Sequence, residues 1–497
     1  MLMSLNDWST VVVFSKISFT QCHLRAMFSS DYTSFFRVLL ALTLLIATVT
    51  ARDVAAQTAS FERPPIDYLN APVTDPVAKL IAKIESGESQ LTYDDEHGYL
   101  AAILEALQVP VSSQTLVFSK TSLQLHRITP RRPRALYFND DVYVGWCQRG
   151  DVVEIASTDP QLGAVFYTVK QTPPKRLQES GSTSAAASKS QSQPAQNTAA
   201  LRATDIVRDR GQCLTCHASS RTQGVPGYLV RSVFADASGQ PKFGSGTFTI
   251  DHTSPLKQRW GGWYVTGRHG DSRHMGNVFA QGDASEHNFD YESGANLTSL
   301  NELVKTQPYL TPHSDIVALM VLEHQTQMHN AITAANFETR QAIHQSYQMN
   351  ALLEREPDHV SESAQRRLQS AADNVTRYLF LCDEAELTDP ISGTSGYAEE
   401  FAAAGPSDSQ GRSLRMLDLK TRLFRYPCSY LVYSESFDGL PDRVRAAVLD
   451  RMIDVLAGTT DTDEYRHLTA ADRTAIREIL IETKPEFASR LASRSNG

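Results

Sequence analysis

The sequence predicts an α+β protein that is predominantly α-helical, with helices and an antiparallel sheet first, Gly-rich loops and short strands next, and helices at the C-terminal end. Three observations predict this class. Apolar residues first recur at steps of three and four, then alternate in short runs between turn-forming residues, and after residue 300 return to the helical period. The chain has 497 residues, of which 41% are hydrophobic and 21% charged, a composition that is ordinary for a globular protein of two or three domains.

Residues 1–56 are predicted to be a signal peptide. The apolar run Val38–Val49 follows the positive charge of Arg37, and the small residues Val54–Ala56 provide a cleavage site. Met27 is a better start for such a signal, because the stretch before it is unusually long. The apolar run is short for a membrane span. We therefore expect export to the periplasm or another exported location, with an uncleaved membrane anchor as the alternative.

Residues 57–170 are predicted to form an N-terminal α+β domain. Helical periodicity extends from Asp75 to Pro110, where Leu100, Ile103 and Leu104 share one face. Short β-branched and aromatic runs then alternate with turn-forming residues, which predicts antiparallel strands. These runs are TLVFS, ALYF, VYVGW, VVEIA and AVFYTV.

Residues 171–200 are rich in Ser, Ala, Gln and Pro and have almost no large apolar side chains, so they predict a flexible linker. Residues 201–300 form the predicted cofactor-binding region. There, Ile206–Arg210 is expected to be a short helix, and the runs YLVRSVF and GTFTI are expected to be strands among Gly-rich loops.

Residues 301–497 are predicted to be a C-terminal helical region. Periodicity and end signals predict helices over His313–Asn350 (one long helix or a bent pair), Ser361–Leu387, Asp442–Leu456 and Thr469–Thr483. Thr469 followed by Asp472 resembles a capping box of the acidic type, and Lys484–Pro485 is expected to end the last of these helices.

The segment C-L-T-C-H at Cys213, Cys216 and His217 is the strongest chemical signal in the chain. C-x-x-C-H is the attachment pattern of a covalent c-type haem, in which the adjacent imidazole binds the iron. A C-x-x-C pair is also found in zinc sites and in redox dithiols. Zinc usually needs a second close pair, whereas the other cysteines are scattered singly. The motif occurs once, so we expect one covalent haem and its iron.

The other cysteines leave the disulfide pattern open. Cys22 is lost if the signal peptide is cleaved, which leaves Cys147, Cys382 and Cys428. A bridge between Cys382 and Cys428 is one possibility, and buried unbridged thiols are the other.

The sixth iron ligand separates electron transfer from catalysis, because methionine or histidine suits a carrier and an open site permits ligand chemistry. The densest candidate loop runs from Trp260 to Asn277, and Met275 is the preferred ligand. The alternatives there are His274, His269 or an open site. The competing interpretation of Met275 is ordinary core packing. The competing interpretation of the two histidines is hydrogen bonding within the loop.

A second group of candidates lies in the long predicted helix. Met320, His324 and Met328 fall four residues apart and share one face. A buried stripe with one hydrogen-bonded histidine is the simpler interpretation, and His324 or Met328 as the distal ligand is the alternative. A metal site that uses His324 is a further alternative.

Other side chains of the loop are expected to contact the cofactor. Arg268 and Arg273 are candidates to pair with haem propionates, because a guanidinium matches a carboxylate at two points. Exposed surface positions are the alternative for both. The aromatic residues Trp260, Trp263 and Tyr264 are candidates to line the porphyrin, with core packing as the alternative.

The motifs resemble a group of large exported bacterial proteins with a single-haem cytochrome c domain. The resemblance covers most of the chain after the signal, and it implies haem attachment at Cys213 and Cys216 with His217 on the iron. It implies no activity and no sixth ligand. The matching segments are CLTCH, GYLVRSVF, DHTSP, RWGGWYVTGRHG, RHMGN, ALYFNDDVYVGW and YPCSYLVYSESFDGLP.

These observations predict an exported c-type cytochrome that acts in electron transfer with an unidentified redox partner protein. The alternatives are a haem-dependent oxidoreductase acting on peroxide or a small substrate, and a haem-based sensor or partner-binding protein. The net charge of -9 disfavours nucleic acid and anionic lipid as partners, since both attract clustered Lys and Arg. Membrane association is expected to be peripheral or absent.

Overall fold

Nine short strands build the two sheets of the computed structural model, which describes residues 60–173, 201–459 and 463–495. The predicted signal peptide and residues 174–200 of the predicted linker lie outside the described residues. The strands are β1 (Thr115–Val117), β2 (Arg134–Phe138), β3 (Val142–Trp146), β4 (Val152–Asp159), β5 (Gly163–Lys170), β6 (Ile206–Arg208), β7 (Arg231–Val233), β8 (Thr247–Thr249) and β9 (Trp263–Tyr264).

The larger sheet has seven strands in the order β6-β5-β4-β3-β2-β1-β9, and all of its pairs are antiparallel. The five strands predicted for the N-terminal region are confirmed as β1 to β5. The two strands predicted in the central region, β7 and β8, pair with each other in a separate sheet. Strands β6 and β9 from the central region extend the larger sheet at its two edges, so residues before and after the linker share one sheet.

The prediction of a helix at Ile206–Arg210 is wrong. Ile206–Arg208 is strand β6, which pairs with Tyr167 to Val169 of β5. The reason is tertiary: the outer edge of β5 offers unpaired backbone groups, and a short segment gains more from those hydrogen bonds than from a single helical turn.

The larger sheet has two unlike faces, because side chains of a strand alternate between faces and directly paired residues share one. One face is buried across β1 to β5 and includes Tyr137, Val144 and Ile155, which are at most 2% exposed. The other, which we call the motif face, is defined by Arg134, Leu136, Gly145, Glu154, Ala156, Phe166 and Thr168.

The predicted N-terminal helical stretch is two helices, α1 (Pro76–Glu85) and α2 (Leu100–Ala106). The carboxylate of Asp75 caps α1 by accepting the backbone N–H groups of Val77 and Ala78. The hydroxyl of Tyr167 on β5 donates to the same carboxylate at 2.6 Å. The helix start is therefore attached to the buried face of the sheet.

The centre of the fold is one long helix, α4 (Ile316–Leu352), which follows the single helical turn α3 (Leu214–His217). The His313–Asn350 prediction is thus confirmed as one long helix, which begins at Ile316. The first part of α4 is buried on all sides, although it carries many polar residues. Asp315 caps its start by accepting the N–H groups of Val317 and Ala318.

The helical C-terminal region is also confirmed, although the helix predicted over Ser361–Leu387 ends at Leu379. It contains α5 (Glu362–Leu379), α6 (Tyr397–Ala403), α7 (Glu435–Asp438), α8 (Asp442–Ala457), α9 (Ala470–Thr483) and α10 (Pro485–Ser495). Thr469 and Asp472 form the predicted capping box of α9. That helix ends before Lys484 as predicted, and Pro485 starts a further helix, since proline suits a first helical turn.

From Ser60 onward the described residues cluster into one compact unit. Within the described ranges, no helix is both long enough and apolar enough to cross a membrane.

Candidate haem-attachment site

The C-x-x-C-H motif forms the short helix α3 directly after strand β6. The carboxylate of Asp209 accepts the backbone N–H groups of Gly211 and Cys213, at 3.0 and 2.9 Å. The backbone N–H of His217 then donates to the carbonyl of Cys213 at 3.0 Å. One helical turn thus places both cysteines and the histidine in the same small region.

The imidazole of His217 is held by a reciprocal pair of contacts with Gly227. Its Nδ1 lies 2.9 Å from the carbonyl oxygen of Gly227, and the N–H of Gly227 donates to the carbonyl of His217 at 2.8 Å. A carbonyl only accepts, so Nδ1 carries the proton. Nε2 is therefore the lone-pair nitrogen, and it makes no hydrogen bond to a described residue.

The surroundings keep His217 in the neutral form that binds metals. Burial lowers its pKa, which outweighs the hydrogen bond to Gly227. The ring of Phe166, on the motif face, packs against the imidazole at a centroid distance of 4.8 Å. A neutral ring with an oriented Nε2 is the state that an axial histidine of haem requires.

The two cysteines of the motif are free thiols, with Cys216 exposed and Cys213 partly buried. Burial and the nearby Asp209 carboxylate raise the pKa of Cys213 to about 12, so it remains a thiol at neutral pH. An accessible C-x-x-C pair beside a neutral imidazole fits haem attachment, because each thiol adds to one vinyl group.

The motif face beside Phe166 is only partly covered. Leu136, Ala156 and Thr168 are half-buried there, whereas the opposite face of the same strands is buried. A flat apolar ring has a surface to pack on at this place. The residues present therefore fit a haem held by the C-x-x-C-H motif.

Met275 is a fully buried core residue. It packs with Phe234, Ala280 and Ala284, and the hydroxyl of Ser232 donates to its sulfur at 3.6 Å. No described contact joins Met275 to the motif. Its role as sixth ligand stays a prediction, and its present surroundings match the core-packing interpretation.

The two histidines of the same loop are engaged in hydrogen bonds. His269 uses both ring nitrogens, with Nδ1 at 2.8 Å from the carbonyl of Ser272 and Nε2 accepting the N–H of Asn296 at 2.9 Å. The N–H of Gly276 donates to Nδ1 of His274 at 3.0 Å, so the proton of that neutral ring lies on Nε2. Neither ring presents a free lone pair.

The candidates on α4 are buried inside the fold. Nε2 of His324 lies 2.7 Å from the hydroxyl of Ser429, and its Nδ1 lies 3.4 Å from Nδ1 of His252. Met328 is completely buried. The simpler interpretation of this stripe, a buried face with a hydrogen-bonded histidine, describes both residues.

Arg268 is exposed, and the Nε and Nη2 groups of Arg273 bind the carboxylate of Glu292. Three buried aromatic residues of this loop donate hydrogen bonds within the fold. Trp260 donates to the carboxylate of Glu323, Trp263 to the carbonyl of Arg231, and Tyr264 to the carbonyl of Pro130.

The remaining thiols are also free: Cys147, Cys382 and Cys428 are buried and unbridged. In the part of the chain that the structure describes, no cluster of three or more His, Cys, Asp or Glu residues is arranged to hold a metal ion. Within these residues, neither a zinc ion at Cys213 nor a metal ion at His324 would have three such ligands.

Comparisons with protein-family models, curated proteins and solved structures found no match to this chain. The resemblance to single-haem cytochrome c-domain proteins therefore stays a prediction, which depends on the motifs alone. What the structure adds is the arrangement of the residues around C-x-x-C-H.

The sequence did not indicate three contributors to this arrangement, namely Phe166, Gly227 and Asn330. The carbonyl of Gly227 accepts the hydrogen bond from Nδ1 of His217, and the side chain of Asn330 on α4 binds both backbone groups of Tyr228. No local signal marks Phe166 or Asn330, because both are far from the motif in the sequence.

Proposed function

We propose that the protein is an exported c-type cytochrome with one haem bound covalently through Cys213 and Cys216, and that it acts in electron transfer. The observation that carries this proposal is the hydrogen bond from Nδ1 of His217 to the carbonyl of Gly227. It orients Nε2 as an iron ligand, and the same motif presents two free thiols.

The residues have separate roles in this proposal. Each thiol would add across one vinyl group of the haem, with sulfur bonding to one carbon and hydrogen to the other, which requires no oxidant. His217 would provide the lone pair of Nε2 to the iron, and the carbonyl of Gly227 holds the ring in one tautomer. The haem, when bound, supplies an iron that changes oxidation state by one electron.

The proposed location is the periplasm or another exported compartment, with a membrane-anchored form as the alternative. An unidentified redox protein is the proposed partner. The net charge of -9 fits a partner with basic residues, and it does not fit nucleic acid.

The test is expression in a host that matures c-type haem. We expect a coloured protein whose pigment stays on the chain in acidified organic solvent and whose pyridine haemochrome spectrum indicates two thioether links. The double variant Cys213→Ala, Cys216→Ala should lose covalent haem. The matched control Cys147→Ala removes a buried thiol outside the motif and should keep it. A colourless wild-type protein would contradict the proposal.

A second candidate is a haem-dependent oxidoreductase with an open sixth position. Hydrogen bonds occupy both ring nitrogens of His269 and of His324. They favour the oxidoreductase, because they leave fewer side chains that can act as the sixth ligand of the iron. Carbon monoxide binding to the reduced protein separates the two functions. Rapid binding with a high-spin ferric spectrum indicates the oxidoreductase, and no binding indicates the carrier.

A further inference from the structure

A buried ion pair lies on the motif face, and the predicted chemistry does not use it. Nη2 of Arg134 lies 2.7 Å from Oε2 of Glu154, and the two side chains are only 18% and 13% exposed. Gln124 donates to Oε1 of the same carboxylate at 3.1 Å. Gln124 therefore holds the Glu154 carboxylate of this ion pair in place.

The guanidinium of Arg134 is incompletely bonded. Its Nε is buried and has no hydrogen-bond partner within the described residues. A buried N–H without an acceptor costs about 1–3 kcal/mol, so such a donor indicates a missing acceptor. Gly145 leaves the space that the guanidinium occupies, because a Cβ at that position would collide with it.

The ion pair is close to the motif. Glu154 and Phe166 are on adjacent strands of the same face, where Phe166 pairs with Ala156, two residues from Glu154. The ring of Phe166 contacts His217 at 4.8 Å.

We propose that the haem packs against the motif face and that Arg134 is a haem-binding residue whose guanidinium donates a hydrogen bond to a haem propionate. The inference rests on the proposed function. Guanidinium groups bind carboxylates with strong, charge-assisted hydrogen bonds, and a propionate supplies the acceptor that Nε of Arg134 lacks. Glu154 then acts as a positioning residue, because it holds the other side of the guanidinium.

Two readouts on purified haem-loaded protein test the inference. The first is the midpoint potential of the iron. Arg134→Gln removes a positive charge near the iron and should favour the ferric state, which lowers the potential. Glu154→Gln removes a negative charge and should raise it. A tenfold change in the ratio of ferric to ferrous protein corresponds to about 59 mV for one electron, and we expect shifts of that order.

The second readout is the resonance Raman bending band of the haem carboxylates, which reports their hydrogen bonding. Arg134→Gln and the milder Arg134→Lys should both shift it, because neither side chain carries the Nε–H donor of a guanidinium. Arg134→Lys keeps the charge and covers the case in which Arg134→Gln fails to fold. The matched control is Arg366→Gln, because Arg366 forms an exposed pair with Glu362 on α5. Surface charges are screened, so this variant should change neither readout.

The outcomes separate the two proposals. If the wild-type chain carries no covalent haem, the proposed function fails. If haem is attached but both Arg134 variants match Arg366→Gln in potential and Raman band, only the inference is overturned. Opposite potential shifts for Arg134→Gln and Glu154→Gln, together with a changed carboxylate band, support it.

Discussion

At the scale of single residues, burial and hydrogen bonding decide which histidines can bind iron. The Nδ1–H of His217 donates a hydrogen bond to the carbonyl of Gly227, which leaves Nε2 for a ligand, whereas His269 and His324 use both nitrogens inside the fold. Burial lowers the pKa of the partly buried His217 and also the pKa values of the buried histidines His252, His269, His274, His324 and His329. Neutral imidazoles are thus common here, and orientation is what distinguishes His217.

Glu323 on α4 allows a pH prediction. It is completely buried, and burial raises the pKa of its carboxyl from 4.5 to about 8, which outweighs the attraction of Arg259 at 2.9 Å. Between these two pH values the folded state keeps a proton that the unfolded state has lost. The free energy of unfolding should therefore fall as pH rises, by at most about 1.4 kcal/mol per pH unit from this group.

The measurement is urea unfolding of wild type and Glu323→Gln at pH 5, 6 and 7. The glutamine has no proton to lose, so the stability of the variant should depend less on pH over this range. Equal slopes for the two proteins would show that Glu323 is ionised in the folded state. The matched control is Glu362→Gln, which replaces an exposed carboxylate and should leave the slope unchanged.

At the scale of elements, α4 acts as a buried support for the loops around it. Its polar side chains bind backbone groups of loops that are distant in sequence. Gln325 donates to the carbonyl of Asn139 at 2.7 Å, and Asn336 donates to the carbonyl of Gly439 at 3.2 Å. Buried polar groups are tolerated in this helix because they have such partners.

Asn330 connects this helix to the motif. Its side chain accepts the N–H of Tyr228 at 2.8 Å and donates to the carbonyl of Tyr228 at 2.9 Å, next to the Gly227 carbonyl that binds His217. Asn330→Ala should lower the free energy of unfolding by about 1–3 kcal/mol, because it leaves buried backbone groups without partners. It should also change the haem spectrum, since the acceptor of His217 loses its support.

The matched control is Asn336→Ala on the same helix, whose side chain binds loops away from the motif. It should lower stability but leave the absorption spectrum of the covalent haem unchanged. Urea unfolding and absorption spectra of both variants check the two effects separately. Unchanged spectra for Asn330→Ala would mean that the Gly227 carbonyl needs no support from α4.

At the scale of the whole molecule, the larger sheet joins the regions on either side of the predicted linker. Strand β5 before it pairs with β6 after it, and β1 pairs with β9. The N-terminal region and the motif-bearing region therefore depend on each other for backbone hydrogen bonds. The motif face is formed by the first region, and the motif by the second.

This shared sheet predicts the result of limited proteolysis. The composition of residues 171–200 predicts a linker that proteases cut first. The two fragments should elute together in size exclusion under native conditions, because the strand pairs across the cut remain, and should separate in denaturant. Fragments that separate without denaturant would contradict the prediction that both regions require the common sheet.

The sequence by itself determined the features that depend on neighbouring residues. Periodicity located strands β1 to β5 and the helices α4, α5, α8 and α9, and local chemistry identified the capping box at Thr469. The C-x-x-C-H spacing alone predicts how a haem would be attached. Local geometry and side-chain preference are properties of short segments, which is why these predictions needed no tertiary information.

Only the tertiary structure decided which groups meet. Ile206–Arg208 became a strand because β5 offers its edge, and Asn330 reached Tyr228 across 102 residues of chain. The position of Arg134 beside the motif likewise follows from strand register. Long-range hydrogen bonds and burial depend on partners that no local pattern specifies, so the surroundings of His217 could be read only from the folded chain.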